Sequence, residues 1–314
     1  MSAATSFLRY LRRTAKSSSS GFTLIELLVT VILAGGIVSG LMYLAVETLQ
    51  SDQRESDRTE TQRDMQLALT FMQSELRQAI YVYNAECLDG TDAECQGTAN
   101  WGNLNLPAGM TPVLAFWRLQ PIPQAVQTAA CSSGAPTNVP CLAGNSYSLV
   151  VYSWKQRDPG PFDPSDPFAL RGQAGLFRSE MSITDTALTG YADPFNATPQ
   201  FKGWPAAGDA PVFSQPELLV DFVDDGNGSL AAGDTPSCPA VTDVTYQLTP
   251  SDNIPRSFYA CVSQPDSTIG NQDVVIYLRG NAAQRSGIMR ENTFLPPIET
   301  RVFIRGTLDK KDDS

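Results

Sequence analysis

The sequence predicts an α+β protein: a long N-terminal α-helix, membrane-spanning in its first half, packed on an antiparallel β-sheet domain. Three features predict it. Residues 22–46 form an apolar run interrupted by one charge, Glu26. No Gly or Pro then occurs before residue 85, so the helix can continue past the apolar part. Beyond that point Gly and Pro recur between short runs of Val, Ile, Tyr, Phe and Trp, the texture of strands joined by loops.

Residues 1–21 carry Arg9, Arg12, Arg13 and Lys16 and no acid, which reads as a basic leader retained on the cytoplasmic side. The apolar run of residues 22–46 would make a helix of roughly 37 Å, enough for a hydrocarbon core of about 30 Å. A secretory signal peptide predicts a shorter apolar core followed by a small-residue cleavage site. A plain signal anchor gives no reason for a glutamate inside the apolar run. Placing a lone carboxylate in lipid costs about 2.5–3.5 kcal/mol or more, so Glu26 calls for a partner. A cut after Gly21 would supply one, the free amine of Phe22, on the same chain or on a neighbour.

Gly21-Phe22-Thr23-Leu24-Ile25-Glu26 resembles the type IV prepilin signature: hydrophilic leader, Gly before the cut, Phe after it, Glu as the fifth mature residue. The resemblance implies the type IV pilin fold, cleavage between Gly21 and Phe22 by prepilin peptidase, N-methylation of Phe22, and a role for Glu26 in docking the subunit into a filament. At this size the chain is similar to the large minor pilins and pseudopilins of the PilW/PulJ (GspJ) kind. Gln78-Ala-Ile-Tyr-Val-Tyr83, Asp273-Val-Val-Ile-Tyr-Leu-Arg-Gly280 and the strand after Pro296-Pro297 carry that closer likeness. Within that kind it looks like the cyanobacterial pseudopilins of hormogonium polysaccharide secretion, the HpsC type.

Residues 47–84 are expected to extend the helix. Their first part is polar all round, and Met65, Leu69, Met72, Leu76 and Ile80 then fall on one face, the side that packs on the protein's own sheet. Residues 85–308 are the expected extracytoplasmic β-rich head. Its candidate strands are Pro112–Leu119, Tyr147–Trp154, Gly175–Glu180, Leu218–Val223, Val241–Leu248, Ser257–Val262, Val274–Arg279 and Ile298–Ile304. Residues 309–314 read as a frayed tail.

The composition narrows the chemistry. The chain has no histidine, which excludes Ser-His-Asp triads, Cys-His dyads and His-ligated zinc, so an enzyme is not expected. A net charge of −11 disfavours direct nucleic-acid binding. Six cysteines (Cys87, Cys95, Cys131, Cys141, Cys238 and Cys261) all follow the membrane run, and none forms a CxxC. A translocated domain favours disulfides; six cysteines allow 15 pairings, of which joining sequence neighbours is the simplest.

No cofactor is required. Asp221, Asp224, Asp225, Asn227 and Asp234 are the candidate calcium ligands, but the spacing is not that of an EF-hand and a Gly-containing hairpin turn is the plainer reading. Trp101, Phe201 and Trp204 can stack on sugars, although loop aromatics more often plug local cores. Asn196-Ala-Thr198 and Asn227-Gly-Ser229 fit the N-glycosylation pattern, which arises often by chance.

The expected role is that of a structural subunit at or near the tip of a type IV pilus or a type II secretion-like filament. Its expected partners are prepilin peptidase, other minor and major pilins, the assembly platform, and membrane lipid around residues 22–46. The alternative is a membrane-tethered calcium- or glycan-binding module that never polymerises.

Overall fold

A computed structural model describes residues 21–101, 104, 106–124, 126, 128, 145–183, 191–207, 209–226, 235–264, 272–282, 285 and 297–304. The expected leader up to residue 20, the tail, Cys131, Cys141, Asn227 and Asp234 lie outside these residues. The chain divides into two compact units, residues 1–54 and residues 55–314.

The first unit is carried by the start of helix α1, Leu24–Leu76. Thr23 begins the helix, its carbonyl accepting from the Glu26 and Leu27 N–H groups at 3.1 and 3.2 Å. The large apolar side chains from Leu24 to Val46 are all exposed, and α1 is long and apolar enough to cross a membrane. An apolar helix surface that no protein covers is what a lipid or helix partner requires.

In the second unit α1 becomes amphipathic. Met65, Ala68, Leu69, Met72 and Leu76 are buried, and burying each of the larger side chains contributes roughly 1.5–3 kcal/mol. The helix stops at Leu76, short of residue 84, and Ala79–Val82 form strand β1. Ile80 continues the helical apolar spacing, but Ile80-Tyr-Val-Tyr83 is β-branched and aromatic. The edge of a neighbouring strand supplies the backbone bonds that a helix end would lack.

The remaining elements are α2 (Ala85–Asp89), β2 (Met110–Pro121), β3 (Asn145–Gln156), β4 (Ala174–Met181), β5 (Glu217–Val223), β6 (Tyr246–Thr249), β7 (Phe258–Ser263), β8 (Asp273–Leu278) and β9 (Ile298–Phe303). Strands β1 to β5 form one antiparallel sheet in sequence order, and β6 to β9 form another. The predicted strand over Val241–Leu248 shrinks to Tyr246–Thr249. Val241 and Val244 pair across a tight turn instead, and Asp243 takes a φ of 65° there.

The two sheets are tied at both ends of the first. The Gln272 side chain accepts from the Val82 N–H at 3.2 Å and donates to the Val82 carbonyl at 3.3 Å. At the other end Asp224 N–H donates to the Arg279 carbonyl, and Asn281 N–H to the Phe222 carbonyl, at 3.1 and 2.8 Å.

β3 shows how the residues sort into cores. Val150 and Tyr152 face the α1 side with Phe116, Leu176, Val262 and Ile276. Leu149 and Val151 face the opposite side with Trp101, Trp117, Trp204 and Phe213. The period of two thus sends alternate residues of one strand into two different cores. In the second core Trp117 donates to the Tyr83 hydroxyl at 3.0 Å, which donates to the Phe201 carbonyl at 2.7 Å.

Candidate functional site

The signature residues lie together where α1 begins. Gly21 and Phe22 precede the helix and are exposed, and nothing lies within 4 Å of where a Gly21 Cβ would stand. Thr23 Oγ1 accepts weakly from the Glu26 N–H at 3.4 Å. Thr23-Leu-Ile-Glu26 therefore reads as a helix start of the Ser/Thr-x-x-Glu type, a signal that was present in the sequence beside the cleavage pattern. Glu26 sits in the first turn, where the helix dipole favours a negative charge. Among the described residues no donor bonds its carboxylate.

A second polar constellation locks α1 to its sheet. Glu75 is buried at 4% exposure. Its carboxylate accepts from Arg178 at 2.8 and 3.1 Å and from the Tyr152 hydroxyl, and it pairs with Arg118 at 2.8 Å. Glu180 completes the set, 2.8 Å from Arg118 and 2.5 Å from Arg178. Two carboxylates and two guanidiniums balance, so the cluster carries no net charge into the interior. Burial alone would raise the Glu180 carboxyl, but Arg118 and Arg178 outweigh it and hold it below its ordinary range. Burial and the neighbouring Glu75 charge push the Tyr152 hydroxyl far up, so it stays a donor. Sequence reasoning missed this cluster, because its members are scattered over α1, β2, β3 and β4.

Lower on α1, Arg285 reaches Glu60 at 3.0 Å and Asp64 at 2.5 Å, donates to the Thr61 hydroxyl at 2.9 Å, and lies 4.7 Å over the Phe222 ring. It pins the last polar turns of the helix to the head.

Of the residues singled out for calcium, Asp221, Asp224 and Asp225 lie within the described residues, and the first two have protein partners. Asp221 accepts from the N–H groups of Arg171, Gly172 and Phe222 at 2.9, 3.0 and 2.7 Å. The Asp224 carboxylate is buried and pairs with Arg279 at 2.5 Å. Asp225 is half-buried beside them. Among the described residues, the one cluster with metal-ligand spacing is Cys87, Asp92 and Cys95, whose donor atoms lie within 4.8 Å of one another. Such a set can coordinate a metal as thiolates. Here the two sulfurs are joined to each other, and Lys202 sits 2.9 Å from Asp92. Cys238 is joined to Cys261. Trp101 and Trp204 are fully buried core residues, and Phe201 is half-buried against Tyr81, Tyr147 and Trp117.

A long N-terminal helix packed through its second part on antiparallel sheets is a type IV pilin-like architecture. No family model, curated protein or solved structure matches the chain.

Proposed function

We propose that this chain is a pilin-like assembly subunit, a minor pilin or pseudopilin. In this reading prepilin peptidase cuts between Gly21 and Phe22 and methylates the new amine. The apolar first part of α1 holds the subunit in the cytoplasmic membrane. The assembly platform then draws it into a type IV pilus or type II secretion-like filament, at or near the tip, with the head outside. There it supports priming, motility, adhesion or export of protein or polysaccharide. Its partners would be other minor and major pilins, through helix packing.

One observation carries the reading. The Gly-Phe-Thr-Leu-Ile-Glu signature stands at the mouth of a single 53-residue helix, whose early residues expose their apolar side chains and whose late residues enter the core of a β head. A soluble core helix would cover its apolar part. A simple anchor would have no use for Glu26 or for the intact helical register linking anchor to head. The tethered calcium- or glycan-binding alternative draws less support, since Asp221 and Asp224 are engaged by protein donors and Trp101 and Trp204 are sealed in the core.

The testing experiment is Glu26→Ala. The variant is expected to be processed normally and to stay in the membrane fraction, with its amount in sheared surface filaments reduced at least about tenfold, the effect of losing one charge pair in a low-dielectric setting. Undiminished incorporation would remove the role assigned to Glu26.

A further inference from the structure

At one end of the second sheet lies a small cavity of 130 Å³. It sits where β7 begins and β8 ends. Ser257 precedes β7, Arg279 follows β8, and the Arg279 N–H donates to the Ser257 carbonyl at 2.8 Å. Tyr259 and Tyr277, cross-strand partners whose rings stack at 4.6 Å, line it together with Thr235 and Ser237. The Cys238–Cys261 bridge ties the segment carrying those two hydroxyls to β7. Every polar side chain in the lining carries a donor and none is a carboxylate, on a protein of net charge −11.

These donors are not equal. Arg279 is buried and neutralised by Asp224 at 2.5 Å, so it brings no net charge. The Tyr277 hydroxyl is already bonded to Glu299. Arg256 differs: it is exposed and makes no ion pair among the described residues, so its charge is uncompensated. Next to it in the chain, Ser257 is 1% exposed, and its hydroxyl oxygen is buried without a hydrogen-bond partner. A buried hydroxyl left unpaired is costly, and an acceptor brought into the cavity would relieve it.

We propose that this cavity binds a small oxyanion, the carboxylate or phosphate group of a ligand, with Arg256 supplying the charge and Ser257, Ser237 and Thr235 supplying hydroxyl donors. An ionised carboxylate or phosphate offers acceptors to a lining that donates, and a guanidinium matches its planar pair of oxygens. A cation finds no carboxylate in the lining. The volume equals about four waters' share of liquid, which admits one anionic group and leaves the rest of any larger ligand outside. The site lies in the second sheet, away from the signature at the start of α1, and goes beyond the assembly reading.

The test measures how fast phenylglyoxal modifies Arg256 in the full chain in detergent, read residue by residue by mass spectrometry. Inorganic phosphate and acetate are compared with chloride at equal ionic strength. Arg63 is the internal control, exposed on α1 and without an ion pair among the described residues. At about 50 mM, phosphate or acetate should slow modification of Arg256 at least about fivefold and that of Arg63 less than about twofold. Protection by phosphate alone assigns the site to phosphate esters, by acetate alone to carboxylates, and by both to the shared oxyanion chemistry. Ser257→Ala leaves the guanidinium in place and should raise the half-protecting concentration at least about threefold. No protection by either anion, equal protection of Arg63, or unchanged protection in Ser257→Ala would overturn the proposal, the last because it reduces the site to a lone surface arginine.

Discussion

Glu75→Ala is expected to destabilise the head by about 3 kcal/mol. The substitution removes a carboxylate whose side chain is 5% exposed and which receives Tyr152, Arg118 and Arg178 together. Breaking a buried ion pair by deleting one partner costs about 3–5 kcal/mol, because the other charge is left behind. The lower end applies here, since the Arg118 and Arg178 side chains keep 16% and 15% exposure and still share Glu180. For a unit of this size each kcal/mol moves the melting temperature by about 2–4 °C, giving a fall of about 6–12 °C. The assay is a circular-dichroism melt of the compact unit beginning at Glu55. Glu75→Gln, which keeps the shape and one acceptor but not the charge, should fall between wild type and Ala. A shift under about 2 °C for Glu75→Ala would refute the reasoning, showing that the desolvation cost of the cluster equals what its pairing returns.

The same cluster gives a pH dependence. Glu180 has a folded pKa below its ordinary value of 4.5, so its stabilisation is complete above that value and is lost as the pH falls through the lowered folded value. Melts from pH 6 downward should show this acid loss in wild type and a smaller one in Glu180→Gln. Cys261→Ser opens a bridge spanning 23 residues; the chain-entropy relation puts the cost at about 3 kcal/mol, read by urea denaturation. Gly172→Ala would set a Cβ 2.5 Å from the Phe222 Cα and 2.8 Å from an Asp221 oxygen. Backbone cannot yield as a side-chain tip does, so a loss of about 1–3 kcal/mol is expected in the same assay.

How much of this was legible depended on how local the signal was. β2, β3, β4, β5, β7, β8 and β9 announce themselves through runs of β-branched and aromatic residues between breakers, and the structure places them within about two residues of expectation. β1 was hidden because Ile80 keeps the apolar spacing of the preceding helix and no Gly or Pro marks the change; a pairing surface on β2, distant in sequence, decides the matter. The start of α1 was legible because Gly21, Phe22, Thr23 and Glu26 fall within one stretch of sequence, residues 21–26. The Glu75 cluster was not, because a glutamate, two arginines and a tyrosine become a site only when four elements converge. Asp221 and Asp224 look alike as oxygen ligands in the sequence. Only the fold shows that one caps the Arg171-Gly172 loop and the other neutralises Arg279.

The central claim is that the chain is processed at residue 21 and then assembled. The most direct measurement is the mature N-terminus, by mass spectrometry of membrane and sheared-surface fractions from cells with active prepilin peptidase. A peptide beginning at methylated Phe22, present in both fractions, is the predicted result. An intact leader preceding Gly21 in both would contradict the account.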